Sequence, residues 1–229
     1  LNGKYANVNG LKLYYETYGK GQPLVLLHGG LGTISMVAPI LPRLSESRQV
    51  IAVELQGHGH TADIDRAFSF EAFADDVAAL IQQLRFANAD VMGYSLGGGV
   101  AIQVAIRHPN AVRKLIAVST PCKSDGWYPE VLAGQRAVNG EIAKTWVGSP
   151  MHQAYASVAP RPDDWIMLAD KTGKLLSKNF DWSKDIATMR AQTMLVVGDA
   201  DAVRPAHAVE FFELLGGGKR DAGWDGSGM

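Results

Sequence analysis

The sequence has a single cysteine, Cys122, which excludes an internal disulfide and any zinc site built from several cysteines. No apolar run approaches the roughly 18 residues of a membrane span. The longest, such as Pro23–Leu27 and Leu115–Val118, have the length of strands. Neither sign of charge dominates: 22 Lys and Arg against 23 Asp and Glu give a formal net charge of −1. Neither half is strongly basic, so a nucleic-acid partner is not expected. No basic and apolar leader opens the chain, because Leu1-Asn2-Gly3-Lys4 runs directly into a strand-like pattern. The expected setting is therefore cytoplasmic, with no membrane partner. The first residue is Leu rather than Met, so an intact gene product is not assumed.

What is present reads as a soluble globular protein, with 47% hydrophobic and 20% charged residues. A length of 229 residues allows one large domain, or one domain carrying an insertion. Such a chain buries about 70% of its unfolded surface and needs no metal or disulfide staple. Lys4–Val8 and Leu11–Tyr18 are strand-like, and Asn9-Gly10 between them suits a type I′ hairpin turn. Short apolar runs follow at Pro23–Leu27, Gln49–Glu54, Val91-Met92, Leu115–Ser119 and Met194–Val197, each ending in a glycine-rich or polar turn. That is the pattern of buried parallel strands. Between them, Phe70, Phe73, Val77, Leu80, Ile81 and Leu84 share one helical face, and a second helix runs from Ser95 to Arg107 before His108-Pro109 stops it. Alternating strand and helix predicts an α/β fold with a mostly parallel, doubly wound sheet, whose site forms at the carboxyl ends of the strands. Residues 121–190 break the pattern. They are punctuated by five prolines and hold Trp127, Trp146, Trp165 and Trp182, four of the five tryptophans. This stretch is expected to be a helical lid inserted between core segments 1–120 and 191–229, or else a small second core. The tail, Gly216–Gly218 and Gly223–Met229, is glycine-rich and expected to be mobile.

The chemistry is carried by Gly93-Tyr94-Ser95-Leu96-Gly97, a G-x-S-x-G between a strand and a helix. In that context the sharp turn lifts the serine hydroxyl above the sheet. The glycines leave out Cβ atoms that would clash, and the helix N-terminus favours developing negative charge. His28-Gly29-Gly30 follows the earlier strand. Acyl transfer needs donors aimed at an oxyanion, and the backbone N–H groups of Leu96 and Gly30 are the candidates, with His28 ordering its loop. Val197-Gly198-Asp199-Ala200-Asp201 supplies a carboxylate after the serine in chain order, suited to orienting a histidine.

These motifs, with Gly57-His58-Gly59, resemble the α/β-hydrolase superfamily in its esterase- and lipase-like branch with an inserted lid. They match in order from the N-terminal hairpin to about residue 215. The resemblance implies a serine nucleophile at Ser95, the acid at Asp201 with Asp199 as second choice, and oxyanion donors at Gly30 and Leu96. It implies a small-molecule ester or acyl substrate, no metal and no organic cofactor. His28, Tyr94, Trp127, Trp146 and Trp165 are the expected pocket residues, and a homo-oligomer stays open. Dehalogenases and epoxide hydrolases of the superfamily carry aspartate where Ser95 stands, which argues against both. C–C bond hydrolysis, acyl transfer to another acceptor, and ligand binding without catalysis remain as alternatives.

One part of the family's pattern is missing. The family ends with a further strand, a loop bearing the catalytic histidine, and a helix, whereas 28 residues follow Asp201 and His207 is the last histidine. A serine without a base is a weak nucleophile, and disabled triads retain only roughly 10³–10⁴-fold catalysis over water. The base is expected beyond the 229 residues. His207 as an unusual base, or a degraded or binding form, are the other readings, with His207 otherwise a surface helix residue. His58 and His60 are read as loop structure rather than a metal pair, and Glu54 as a hydrogen-bonding partner of that loop. His108 is read as a helix-end residue, His152 as an exposed loop residue, and Cys122 as a small buried side chain. Neither Gly30-x-Gly32 nor Gly93-x-Ser95 completes a dinucleotide fingerprint.

Overall fold

The computed structural model describes residues 3–218 and Trp224. Residues 1–2, 219–223 and 225–229 fall outside it, and with them most of the glycine-rich tail, including Gly223. Strands β1 (Gly3–Val8) and β2 (Leu11–Tyr18) form the hairpin. Its turn places Asn9 at φ 48° and Gly10 at φ 79°, the left-handed pair that a type I′ turn requires. Then come β3 (Gln22–Leu27), helix α1 (Leu41–Ser45), β4 (Arg48–Glu54), α2 (Phe70–Gln83), β5 (Ala89–Tyr94), α3 (Leu96–Arg107) and β6 (Val112–Val118). The chain next forms α4 (Pro129–Ala137), α5 (Gly140–Thr145), α6 (Pro150–Ala156), α7 (Trp165–Leu176) and α8 (Ser183–Ile186). It closes with β7 (Gln192–Val196) and α9 (Pro205–Leu214). Among the described residues no helix is long and apolar enough to cross a membrane.

The seven strands lie in the order β1-β2-β4-β3-β5-β6-β7. β2 runs antiparallel to β1 and β4, and every pair from β4 to β7 is parallel. The fold is thus α/β with a mixed, mostly parallel sheet flanked by helices. Alternation along each strand sends side chains to two faces. One face carries Val25, Val53, Val91 and Leu115 into the main core, where they meet Phe73, Val77 and Leu80 of α2 and Val100 and Val104 of α3. α2 starts cleanly because the Ser69 hydroxyl accepts the Ala72 N–H at 3.0 Å.

The segment between β6 and β7 does not build a core apart. Its Tyr155, Trp165, Leu168, Leu175 and Trp182 belong to the same buried cluster as Phe70 and Leu96. Its first residues are anchored to α9: His207 Nε2 accepts the Cys122 N–H at 3.1 Å, and His207 Nδ1 lies 3.2 Å from Glu210 Oε2. His207 is therefore not the surface residue expected. It is 1% exposed, because docking of the segment onto α9 covers it, and burial, opposed by Glu210, lowers its proton affinity. Cys122 beside it is fully buried, and burial pushes its thiol up to about 12.

The second face of the sheet loses cover strand by strand. Leu24 and Leu26 on β3 are buried against Val37 and Leu41. Met92 on β5, and Ile116 and Val118 on β6, are half-buried. Met194 and Val196 on β7 are 61% and 36% exposed. Among the described strands, β7 is paired on one side only.

Candidate active site

The turn from β5 into α3 holds Ser95 at φ 53°, ψ −119°, a conformation an L-residue adopts only under constraint. Two close approaches show what imposes it. A Cβ on Gly93 would overlap the Gly97 carbonyl, and one on Gly97 would overlap the His28 carbonyl oxygen and come within 2.8 Å of the Leu27 oxygen. The helix thus comes down onto the sheet where only glycine fits. The Ser95 N–H donates to Val118 O at 2.9 Å, tying the turn to the end of β6.

Ser95 opens on a cavity of about 150 Å³. Gly30 and Leu96 line it too, and a Cβ on Gly30 would sit 3.4 Å from Leu96 Cδ1. The two proposed oxyanion donors therefore flank one opening beside the serine. The Leu96 amide is in the first turn of α3, where N–H groups lack intrahelical acceptors. The rest of the lining is apolar or neutral and includes Phe70, Trp127, Leu132, Val138, Leu176 and Phe180.

The loop carrying Gly30 is held by two buried histidines. His58 Nε2 accepts the Leu31 N–H at 3.2 Å, and its Nδ1–H donates to Gln56 O at 3.0 Å. His28 Nε2 accepts the Leu55 N–H at 3.2 Å, and its Nδ1–H donates to Gly29 O at 2.7 Å. Each ring bonds one donor and one acceptor, the pattern of neutral imidazole. Burial pushes His28 below its ordinary value, and burial with His28 alongside pushes His58 down to about 3. Glu54 completes the loop, accepting the Ile34 N–H at 3.0 Å and the His60 N–H at 2.6 Å. His28 and Glu54 thus order the loops, as the residue types suggest. His58 is loop structure as expected, but its partner Leu31, 27 residues away, was not foreseen.

Asp201 follows β7. Its Oδ2 accepts the Ser119 hydroxyl at 2.6 Å and the Gly198 N–H at 3.1 Å, and its Oδ1 accepts the Val203 N–H at 2.9 Å. Burial works to raise its proton affinity, but these donors together with the Ala202 N–H outweigh it and hold the carboxyl below the usual range. Asp199 is exposed. Ser119 has φ 50° and donates its own N–H to Val196 O at 2.9 Å. A chain of bonds therefore links Ser95, Val118, Ser119 and Asp201 across the ends of three strands.

Of the expected pocket residues, Trp127 lines the cavity and the others do not. His28 is sealed under its loop. Tyr94 is 43% exposed and lines a separate groove with Met36, Val37 and Ile40. Trp165 is buried, donating its Nε1–H to Ala143 O at 3.1 Å, and Trp146 packs half-buried against the core. Trp146 and Trp165 thus pack among the helices between β6 and β7, outside the lining of the Ser95 cavity. All six histidines of the sequence are described, and none lines the cavity. His60 lies 2.9 Å from Glu54, and His108 lies 2.7 Å from Asp75. His152 sits on α6 rather than in a loop, accepting the Gly148 N–H at 3.1 Å with its ring edge-on to Trp165.

The family described as "alpha/beta hydrolase fold" matches residues 22–141, and the chain belongs to it. It is 31% identical over 186 residues to a 2-hydroxymuconate semialdehyde hydrolase from Pseudomonas sp. (strain CF600), covering 69% of this chain and 66% of that protein. It is 42% identical over 110 residues to a pimeloyl-[acyl-carrier protein] methyl ester esterase from Neisseria meningitidis serogroup B, covering 47% of this chain and 41% of that protein. The chain thus spans under two thirds of the length of these relatives. A solved thermophilic esterase from Thermogutta terrifontis superposes with a TM-score of 0.73 at 21% identity, over 94% of this chain and 87% of that one.

Proposed function

We propose that the protein is a serine hydrolase that cleaves a carboxylic ester or related acyl compound through an acyl-enzyme on Ser95. The observation that carries this reading is the constrained Ser95 turn, opening on a cavity that Gly30 and Leu96 share. Ser95 Oγ attacks the carbonyl carbon, and the oxyanion accepts the Gly30 and Leu96 N–H groups, supported by the N-terminal end of α3. Water then releases the acyl group. Asp201, ionised and fixed by three donors, suits the task of orienting an imidazole. Because each histidine of the 229 residues is engaged elsewhere, that imidazole comes from outside them in this reading. Residues 121–190 act as the lid, with Trp127 contributing to the pocket.

The engagement of all six histidines favours a second reading, a ligand-binding homologue without turnover. The kinship with the 2-hydroxymuconate semialdehyde hydrolase keeps cleavage of a C–C bond in view, and acyl transfer would use the same residues. Intact mass spectrometry after incubation with p-nitrophenyl butyrate separates the main readings. A butyryl adduct on wild type and none on Ser95→Ala, with both proteins equally folded by circular dichroism, is the expected result. An adduct of equal yield on both, or none on either even with free imidazole supplied as the base, overturns the hydrolase reading. Free imidazole added as the missing base is expected to speed the Ser95-dependent acylation and leave the Ser95→Ala background unchanged after subtraction.

A further inference from the structure

The inserted segment leaves the sheet through residues 122–128, a strap that lies against the start of α9. One buried ring sits at its root. His207 Nε2 accepts the Cys122 N–H at 3.1 Å, and its Nδ1–H donates to Glu210 Oε2 at 3.2 Å. One bond accepted and one donated define the neutral ring. The strap is close upon it: a Cβ on Gly126 would lie 2.4 Å from His207 Cδ2. Further along, the Arg204 N–H donates to Gly126 O at 2.9 Å, and the Tyr128 N–H to Ala202 O at 3.1 Å. Trp127 pairs with Val203 in a short antiparallel bridge. These contacts lead to the site. Trp127 lines the Ser95 cavity, and the Val203 N–H donates to Asp201 Oδ1 at 2.9 Å.

The imidazolium form does not suit this root. Both ring nitrogens then carry hydrogen, so an Nε2–H would face the Cys122 N–H. The neighbouring Cys122 Sγ, at 3.7 Å, is only a weak acceptor, and His207 is 1% exposed. A buried donor without an acceptor is disfavoured. The charges around the ring do not reverse this. On α9, Glu210 favours the proton, but its Oε1 is held by Lys123 at 2.6 Å. On the strap, Asp125 favours the proton and Lys123 opposes it. Asp181, in the segment before α8, bridges to Lys123 and has its ionised form favoured by His207. Arg204 turns its guanidinium to Asp125 O, with Nε at 2.9 Å. Burial outweighs these groups and favours the neutral ring.

We propose that His207 is a proton-operated latch on the wall of the Ser95 cavity: the neutral ring clamps the strap, and uptake of one proton releases residues 122–128, Trp127 among them. The device acts on access to the cavity and stands apart from whatever chemistry Ser95 performs. Its pH range follows from linkage. In the released strap His207 is solvated and takes up its proton near pH 6.5, whereas the clamped ring does so at lower pH. The released fraction therefore grows as pH falls through 6.5, by up to about tenfold per pH unit.

Hydrogen exchange followed by NMR tests this on the 229-residue protein. Protection factors, which remove the ordinary pH dependence of exchange, are compared between pH 7.5 and 5. Protection of the Cys122, Arg204 and Tyr128 amides is expected to fall together, by as much as about 30-fold, the yield of one proton bound near 6.5. Amides of α3, the reference for global unfolding, are expected to stay more protected throughout. His207→Gln keeps a side-chain acceptor and cannot titrate, so its Cys122 protection is expected to be flat. The wild-type His207 Nε2 resonance is expected to titrate below pH 6.5. Flat protection in the wild type, an equal fall in His207→Gln, a fall at Cys122 without Arg204 and Tyr128, or exchange of Cys122 only with global unfolding overturns the proposal. So does an Nε2 that titrates at 6.5 or above while Cys122 stays protected, a result that decides the question even where His207→Gln fails to fold.

Discussion

Ser95 spends conformational energy to stand where it does. A residue held at φ 53°, ψ −119° costs of order 1–3 kcal/mol, and glycine occupies that region freely, at an entropic cost of roughly 0.5–1 kcal/mol. Ser95→Gly is therefore expected to stabilise the fold by about 1 kcal/mol, measured by urea denaturation, while abolishing acylation. An unchanged or lower unfolding free energy would mean that the turn is unstrained. The strain is legible in the sequence because its signature is local: Gly93, Ser95 and Gly97 fall within five residues, although the backbone that Gly97 approaches belongs to Leu27 and His28. The same locality made the Asn9-Gly10 turn readable. His58 was legible as loop structure, but the loop it holds was not, because its partner Leu31 lies 27 residues away. Which tryptophan lines the cavity was not readable for a related reason: Trp127 does, whereas Trp165 does not. Trp165 donates to Ala143 within its own inserted segment, and the choice between packing and pocket depends on helix orientation, which composition does not encode.

Among the elements, the two loops after β3 and β4 depend on histidines that fold in the neutral form. Unfolded histidine takes up its proton near pH 6.5, whereas His58 resists to about 3 and His28 is also lowered. The unfolded chain thus binds more protons below pH 6.5, and stability falls as pH drops. The loss is up to about 1.4 kcal/mol per pH unit for each such histidine. Urea midpoints measured from pH 7.5 to 5, above the range of unfolded carboxylates, are expected to fall steadily, with a shallower fall for His58→Gln. Identical slopes would show that His58 titrates alike in both states. The sequence also placed the strands and the helices α2 and α3 within a few residues of their ends, since period and punctuation are properties of each element. It misplaced His207, whose burial is decided by an inserted segment docking on α9 rather than by α9 itself.

For the molecule as a whole, the exposure gradient across the second sheet face is the feature with the widest reach. Met194 and Val196 present apolar surface along a strand whose outer edge is free among the described residues. Such edges invite pairing with another chain. The 229-residue protein is expected to self-associate with rising concentration in sedimentation velocity runs. Met194→Lys is expected to reduce that association while changing stability by no more than about 0.5 kcal/mol, as for other exposed positions. Concentration-independent sedimentation of the wild type would remove this expectation. The mostly parallel sheet was legible as a fold class; the strand order and the graded loss of cover were not, because they depend on what packs beside a strand and across a face.

The bond chain across the strand ends also sets an order of coming apart. The Ser119 N–H bonds Val196 on the outermost strand, while the Ser95 N–H bonds Val118 one strand further in. If β7 peels away while the remaining strands stay paired, Asp201 parts from Ser119 but the serine turn survives. Local openings of this kind let amide hydrogens trade with solvent faster than global unfolding allows. In deuterated buffer the Ser119 amide is expected to exchange well before that of Ser95, with little dependence on denaturant, while Ser95 tracks global unfolding. On the proposed reading, earlier exchange at Ser119 would put the footholds of Asp201 and Ser95 in different cooperative units, and partial opening would silence the site while leaving the serine in place.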